Sequence, residues 1–379
     1  MIHNILDMPD DTGLNAVTGC RFPVFEYIYS HLLDKIKDSK DAPLFTIPGH
    51  RESEPGIRRK LPLKIALVMA LYHMYTNCTQ QYLAALFSIS QSTVSRYQDV
   101  LNKRLCEILP TPEWTAKVIA GASTYPEVKK ILQGKENATI FIDGTHIRTQ
   151  RSSDYTTQKE NYSGKKKFHS KNVLMITTNN GMIIGISRPF DGKTHDMKVL
   201  KNDFPDLGRW LESMKDPNTP KSERILVYSD TGYVGIEEVF PGIKSEQPTK
   251  KSKNRELTQE QKDENRLIGS ERVTVEHPIS HFAVLGGTFR GNTNHIFTYF
   301  LIASGIINIR IMFRDFELWA HMNRITSRMN IKPIPLPSDD LMKTAEYIEK
   351  TAGPKRELHK QQMAEWRKKT ADARAAATP

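Results

Sequence analysis

The sequence predicts an α+β protein in which a mixed β-sheet, flanked by helices, follows an all-α region. Three observations predict this class. Apolar residues recur at helical spacing before residue 110. Short β-branched runs begin at Thr139, and two of them flank the turn Asn179-Asn180-Gly181, which is a strong hairpin signal. Helical spacing returns after the third and fourth runs, so helices are expected to cover the sheet.

The individual elements can be assigned in chain order. Helical spacing predicts helices over residues 25–36, 62–72, 80–86, 91–101, 195–214, 272–285 and 296–313. Apolar, β-branched runs predict strands over residues 139–143, 172–178, 182–187 and 224–229. The polar stretches 37–60 and 244–266 are predicted to be a linker and a loop.

The composition favours a nucleic-acid-binding protein. The chain has 379 residues, with 54 Lys and Arg against 43 Asp and Glu, and a formal net charge of +11. Such an excess suggests a polyanionic partner, most commonly nucleic acid. Cys20, Cys78 and Cys106 are too far apart for a zinc site, and we expect free thiols. The longest apolar run, residues 299–312, is shorter than the ~18 residues of a bilayer span, so no membrane partner is expected.

Residues 79–97 have the pattern of a helix-turn-helix. Thr79 and Ser90 each stand where an N-cap would precede a short helix. Apolar residues mark the faces that would pack together: Leu83, Ala84, Leu86, Ile89, Val94 and Tyr97. The second helix leaves polar side chains outward that suit base edges and phosphates: Gln91, Ser92, Thr93, Ser95 and Arg96. The alternative is an ordinary αα-hairpin with a polar outer face.

Three acidic residues have the placement of a metal site. Asp143 ends the first predicted strand, Asp230 follows the fourth, and Glu276 lies in a later helical region. If the two strands are neighbours, their aspartates converge at one edge, and a helix on the sheet can add Glu276. Three carboxylates at one point repel one another unless a cation lies between them. Hard oxygen ligands suit Mg²⁺ or Mn²⁺, and two such ions can clamp a phosphoryl transfer.

The order of these features matters more than any one of them. Taken alone, an Asp-Gly pair is usually a turn and a Glu on a helix is usually solvated. The order along the chain is, however, that of an RNase H-like fold: a strand that ends in Asp, a hairpin, a helix, a second strand that ends in Asp, and a helix that carries Glu. Asp196 opens the helix after the third strand. It is either a first-turn carboxylate favoured by the helix dipole or a group near the metal ions.

Lys165, Lys166 and Lys167 form a basic run between the first two strands. Such a run is either a solvated hairpin edge or a contact for DNA phosphates. Phosphate contacts would give affinity for every sequence and a steep dependence on salt.

Five separated blocks of the chain resemble the IS5/Harbinger-type DDE transposases. These blocks are Asp143-Gly-Thr, Tyr162-Ser-Gly-Lys-Lys-Lys-Phe-His169, Thr194-His-Asp196, Ser229-Asp-Thr-Gly-Tyr-Val-Gly235 and Asn265 with Arg272-Val-Thr-Val-Glu276-His. The resemblance implies an RNase H-like catalytic core, a two-metal site at Asp143, Asp230 and Glu276, and recognition of terminal inverted repeats. Asp196 and Arg272 lie within these blocks and are expected in supporting roles.

The sequence therefore predicts a DNA transposase that cleaves the ends of a mobile element and joins the 3′-OH to target DNA. Its expected cofactor is Mg²⁺ or Mn²⁺, with two ions. The expected partner is double-stranded DNA, bound by a homodimer or higher homo-oligomer. Two alternatives stay open: a helix-turn-helix DNA-binding protein with a structural nuclease core, and an RNase H-like nuclease without strand transfer. The expected compartment is the cytoplasm and nucleoid of a prokaryote, which we favour, or a eukaryotic nucleus.

Five segments follow from this interpretation. Residues 1–58 are predicted to be a helical segment and linker, 59–110 the helix-turn-helix domain and 111–136 a connector. Residues 137–335 are predicted to form the RNase H-like catalytic domain, and 336–379 a charged tail.

Overall fold

The computed structural model describes residues 11–48, 61–133, 137–204, 225–240, 243–251, 256–274 and 278–351. Two compact units divide the chain, residues 1–335 and residues 336–379. In the second unit, residues 339–351 are helical. The first unit contains a mixed sheet with helices before and after it, so the predicted α+β class is confirmed.

The part of the first unit that precedes the sheet is helical. Its described helices are α1 (Asp11–Thr18), α2 (Phe22–Ile36), α3 (Leu63–Thr76), α4 (Gln80–Phe87), α5 (Gln91–Ile108), α6 (Pro112–Ala120) and α7 (Tyr125–Leu132). Helix α3 is apolar on all sides and packs against α1 and α5, which makes it the centre of this region. Cys20, Cys78 and Cys106 form no disulfide bond, and burial raises the pKa of the Cys106 thiol to about 11.

The sheet has seven strands in its described part. They are β1 (Thr139–Arg148), β2 (Tyr162–Ser163), β3 (Phe168–Thr178), β4 (Ile183–Ile186), β5 (Phe190–Asp191), β6 (Leu226–Tyr228) and β7 (Lys244–Glu246). The main order is β2-β3-β1-β6-β7, and β4 and β5 both pair with β3. Strands β1 and β3 are antiparallel, whereas β6 runs parallel to both β1 and β7. The predicted hairpin is present, because β3 and β4 pair around the turn that contains Gly181.

Two boundaries differ from the prediction in ways that affect the site. Strand β1 does not end at Asp143 but continues to Arg148, because its pairing with β3 extends from Ile140 to Arg148. Residues 244–266 are not simply a loop. They contain β7 and the first half of a helix, α11 (Gln259–Thr274), which the high density of charged side chains concealed.

Helices complete the first unit. After the sheet hairpin comes α9 (Asp196–Asp203). It follows α8 (Tyr155–Asn161), which lies in the excursion between β1 and β2. The remaining described helices are α10 (Ile236–Val239), α11, α12 (Ala283–Gly286), α13 (Ile296–Met312) and α14 (Phe316–Arg328). The predicted helix 272–285 is interrupted, since α11 ends at Thr274 and a 3-10 turn occupies Pro278–His281.

Helix α13 joins the helical region to the sheet. Its Asn308 side chain accepts a hydrogen bond from the Ile183 backbone N–H at 2.8 Å and donates one to the Ile183 carbonyl at 2.9 Å. A Cβ on Gly305 would lie 2.5 Å from the Leu109 Cβ, so Leu109, just after α5, packs closely against this helix. Residues Thr293–Met312 are long and apolar enough to cross a membrane. However, 72% of this apolar stretch is buried inside the protein, as expected of a core helix.

Candidate functional site

The neighbouring strands β1 and β6 bring Asp143 and Asp230 to the same level of the sheet. Their parallel register pairs Thr139 with Leu226 and Phe141 with Tyr228. Continued by two residues beyond the end of β6, this register sets Asp143 opposite Asp230. The Phe141 and Tyr228 rings stack at a centroid distance of 5.3 Å and fix the alignment immediately before the two aspartates.

Asp230 is held by the turn that follows β6. It is the N-cap of the 3-10 turn Thr231–Tyr233, and its Oδ1 accepts a hydrogen bond from the Gly232 N–H at 2.7 Å. A Cβ on Gly232 would lie 2.8 Å from that oxygen and 3.6 Å from Asp196 Oδ2. The space between the two carboxylates is therefore kept open by a glycine.

Asp196 is the first residue of α9 and is buried. Its Oδ1 accepts a hydrogen bond from the Asn172 amide at 2.7 Å, and that amide also donates to the Thr194 carbonyl. A Cβ on Gly144 would lie only 2.8 Å from Asp196 Oδ1. The carboxylate thus rests directly on the backbone of β1, where only a glycine leaves enough room.

Lys165 connects these two carboxylates. Its Nζ lies 3.5 Å from Asp230 Oδ2 and 3.7 Å from Asp196 Oδ2. The lysine reaches them because residues 163–167 form a tight turn, in which the Lys167 N–H donates to the Ser163 carbonyl and Lys167 has a positive φ of 62°. The Lys165 ammonium group is thus shared by two carboxylates. Carboxylate oxygens are also the hard ligands that Mg²⁺ or Mn²⁺ prefers.

Asp143 has a different surrounding. Its Oδ1 accepts a hydrogen bond from the Gly144 N–H at 2.9 Å. Successive residues of a strand point to opposite faces. Since the Cβ direction of Gly144 meets Asp196, the Asp143 side chain leaves β1 on the opposite face. The structure brings Asp196 and Asp230 together around one cation and sets Asp143 on the adjacent strand.

The remaining predicted residues of the site are less fully described. Glu276 lies outside the described residues, and of Arg272 only the backbone, within α11, is described. Within the described part of the chain, no group of three or more His, Cys, Asp or Glu side chains is close enough to hold a metal ion.

Two polar residues near the carboxylates complete this face. His146 Nδ1 lies 3.0 Å from Ser170 Oγ. Burial lowers the pKa of His146 below its usual value, while the Asp196 carboxylate acts in the opposite direction. Asn172, which orients Asp196, was not singled out from the sequence. The sequence did offer one indication of its importance, because Asn172 directly precedes the apolar run 173–176. A polar side chain buried with such a run needs a hydrogen-bond partner.

The helix-turn-helix pattern corresponds to α4 and α5. The Thr79 side chain accepts from the Tyr82 N–H and Ser90 from the Thr93 N–H, each at 3.2 Å. Between the helices, Ser88 adopts the left-handed conformation with φ 55°. The packing face contains buried residues from both helices: Leu83, Phe87, Val94 and Tyr97.

The predicted DNA-contacting side chains of α5 differ in exposure. Gln91, Ser92 and Arg96 are exposed, whereas Thr93 and Ser95 are half-buried. The Thr93 hydroxyl lies 2.8 Å from Ser90 Oγ and so belongs to the cap of the helix. Gln91 and Ser95 face a cavity at the side of the helix. Ser92 and Arg96 are exposed and do not line this cavity, so they are the more accessible candidates for DNA contact, although the Ser92 hydroxyl also lies 2.9 Å from Ser90 Oγ.

Comparisons with known proteins agree with this geometry. Residues 142–308 match the model of the DDE superfamily endonucleases, a range that includes Asp143, Asp196, Asp230 and Glu276. Residues 59–110 match the helix-turn-helix of DDE superfamily endonucleases. Over these two ranges the chain is similar to the DDE superfamily endonucleases.

A curated relative extends this assignment. The chain is 24% identical over 267 residues to the probable transposase for insertion sequence element IS702 from Microchaete diplosiphon. The alignment covers 69% of this chain and 85% of the relative. No solved structure gives a significant match to this chain.

Proposed function

We propose that this chain is a DDE superfamily endonuclease that acts as a DNA transposase, cutting the ends of a mobile element and joining them to new DNA. The observation that carries the proposal is the pair of carboxylates, Asp196 and Asp230, which share one cationic group beside the strand of Asp143. The superfamily match and the transposase relative support the same class of activity. The five-segment division of the chain is part of this proposal.

The residues of this edge suit divalent cations. The two carboxylates that lie together at Lys165, those of Asp196 and Asp230, would hold Mg²⁺ or Mn²⁺, and the position of the lysine ammonium supports a preference for positive charge there. Asp143, which leaves β1 on its other face, and Glu276 are proposed as the further ligands. When bound, two such ions would neutralise phosphate charge and activate the attacking oxygen.

The protein's own residues would orient the reaction rather than form a covalent intermediate. The Gly232 N–H holds Asp230 and the Asn172 amide holds Asp196, so both carboxylates are oriented before DNA binds. Lys166 and Lys167 would contact phosphates, whereas Lys165 would do so less because it already lies against Asp196 and Asp230. Helix α5 would hold the duplex through Ser92 and Arg96. Arg272 is assigned a supporting role on the α11 side of the site.

The proposed reaction has two steps, and the number of P–O bonds does not change in the second. In the first step, water adds to a phosphorus atom as its bond to the 3′ oxygen breaks, which leaves a free 3′-OH and a 5′-phosphate. In the second, that 3′-OH attacks a phosphodiester of the target. One P–O bond forms as another breaks, so joining requires no external energy source.

Asp230→Asn tests the proposal. The change keeps the size of the side chain and its acceptor for Gly232 but removes a negative charge. We expect cleavage of duplexes that carry the DNA flanking the gene to fall more than about a hundredfold in Mg²⁺. Binding to the same duplex in chelator should stay within about twofold of wild type.

The matched control is Asp34→Asn, which removes an exposed carboxylate from α2. Cleavage by this variant should equal that of wild type. Wild-type cleavage by Asp230→Asn would refute the assignment of Asp230. Binding without any metal-dependent cleavage by the wild-type protein would instead favour a structural nuclease core. Cleavage without joined products would favour a nuclease that lacks strand transfer.

The proposed DNA complex contains at least two copies of the chain, because an element has two ends and each needs a site. Light scattering of the protein with and without end-containing duplex measures this directly. A complex with one protein chain and two duplexes would contradict it.

A further inference from the structure

A cavity of about 460 Å³ lies beside the helix-turn-helix, within the first unit. This volume is in the range of about 300–1,000 Å³ that is typical of small-ligand sites. One wall is a stripe of α5, formed by Gln91, Ser95, Gln98, Asp99 and Asn102. The opposite wall is the segment that leads into α13, including residues 289–292. The cavity therefore opens next to the first turns of the proposed DNA-binding helix.

The lining of this cavity is rich in side-chain amides. They are Asn77, Gln80, Gln81, Gln91, Gln98, Asn102 and Asn292. Each amide presents both a donor and an acceptor, which is the combination that reads the hydrogen-bonding edge of a nucleobase. Asp99 adds a carboxylate of the kind that accepts from a base amino group.

One of these amides has an unused donor. Gln98 is 5% exposed, and its Oε1 accepts a hydrogen bond from the Gln80 amide at 2.8 Å. Its Nε2 is buried without a hydrogen-bond partner. Because a buried donor without an acceptor is unfavourable, this atom favours an acceptor brought by a ligand.

The floor and the rim supply the other parts of a nucleotide site. The buried rings of Phe289 and Tyr299 meet edge to face at 5.9 Å, and the Phe289 N–H donates to the Arg148 carbonyl at the end of β1. The exposed Arg290 also lines the cavity and has no ion-pair partner among the described residues. An exposed guanidinium group suits phosphate.

We infer that this cavity receives an unpaired nucleotide of the bound DNA. The base lies among the amides and against the Phe289–Tyr299 floor, and Arg290 contacts its phosphate. Proteins that take a base out of a duplex read it by such hydrogen bonds and packing, and an already unpaired base enters at lower cost. The inference rests on the proposed DNA-binding role of α5 but not on cleavage.

The experiment measures binding in chelator to two mixed-sequence duplexes that differ only by one bulged thymine. Wild-type protein should bind the bulged duplex roughly tenfold more tightly, because its unpaired base needs no disruption of a base pair. The bulged thymine should also become protected from permanganate oxidation when the protein binds. Two variants test the cavity, Arg290→Ala and Gln98→Met, and the second nearly preserves side-chain volume. Each should remove most of the preference for the bulged duplex and most of the protection of its thymine.

Arg324→Ala is the matched control, since Arg324 is exposed on α14 and does not line the cavity. It should keep both the preference and the protection. A thermal melt identifies any loss of folding in Gln98→Met, and Arg290→Ala is an independent test at an exposed position. Equal affinity of the wild-type protein for the two duplexes would overturn the inference. So would a preference that both cavity variants retain. Either result leaves metal-dependent cleavage, and hence the proposed function, to be judged separately.

Discussion

The helix-turn-helix and the carboxylate edge are built by different rules. The first is local, because Thr79 and Ser90 cap helices whose accepted N–H groups lie three residues away. The second joins Lys165, Asp196 and Asp230 through strand pairing and through close contact with glycine backbone. From this difference we expect the proposed DNA-binding helix to tolerate surface changes that leave its caps intact. We expect the carboxylate site, in contrast, to be sensitive to a single added methyl group.

Gly144→Ala would test this sensitivity most severely. Its Cβ would lie 2.8 Å from Asp196 Oδ1, so the carboxylate or the strand must shift and disturb the arrangement around Lys165. We expect a loss of about 1–3 kcal/mol in the free energy of unfolding and a large fall in cleavage. Urea denaturation and strand nicking measure the two effects.

Gly164→Ala provides the matched control, because a Cβ there would meet no atom within 4 Å. It should change the free energy of unfolding and the cleavage rate little. Normal cleavage by Gly144→Ala would show that the position of Asp196 is unimportant for the reaction.

Arg96→Ala examines the local region instead. Arg96 is exposed near the start of α5, so its loss should leave folding unchanged and weaken binding to the element end. If it contacts a base, the loss should be about 1–3 kcal/mol and larger for the element end than for random DNA. Titrations of both duplexes measure this, with Lys103→Ala on the same helix as control. An unchanged ratio of the two affinities would assign Arg96 to a phosphate.

The sequence predicted the local region well for a physical reason. Caps, apolar spacing and the Asn-Gly hairpin act over a few residues, so the patterns at Thr79, Ser90 and Gly181 correspond directly to structure. The extension of β1 beyond Asp143 was missed because Asp143 and Gly144 are both unfavourable strand residues, a local preference that pairing with β3 overrides. The contact of Asn172 with Asp196 depends on how distant segments pack, and no local pattern encodes it.

Ser90→Ala measures how much a local signal contributes. Its hydroxyl oxygen accepts from the Thr93 N–H at the start of α5. Removing this cap should lower the free energy of unfolding by about 1 kcal/mol. Ser92→Ala, on the same turn but without a backbone N–H to cap, should cost less than half as much in the same urea titration. Equal costs would indicate that the cap is unimportant and that general loss of hydroxyl groups explains both.

The smallest expected effect distinguishes the three lysines of the turn. Lys165 already lies against Asp196 and Asp230, whereas no ion pair within the described residues involves Lys166 or Lys167. In chelator, Lys166→Ala with Lys167→Ala should therefore weaken binding to every duplex and flatten the slope of log K against log salt by about 0.9 for each lost phosphate contact. Lys165→Ala should change this slope less, because its charge is already neutralised by carboxylates. Titrations at several salt concentrations measure the slopes. Equal slopes for wild type and the double variant would instead make residues 166–167 a solvated edge that protects the strand from pairing with another chain.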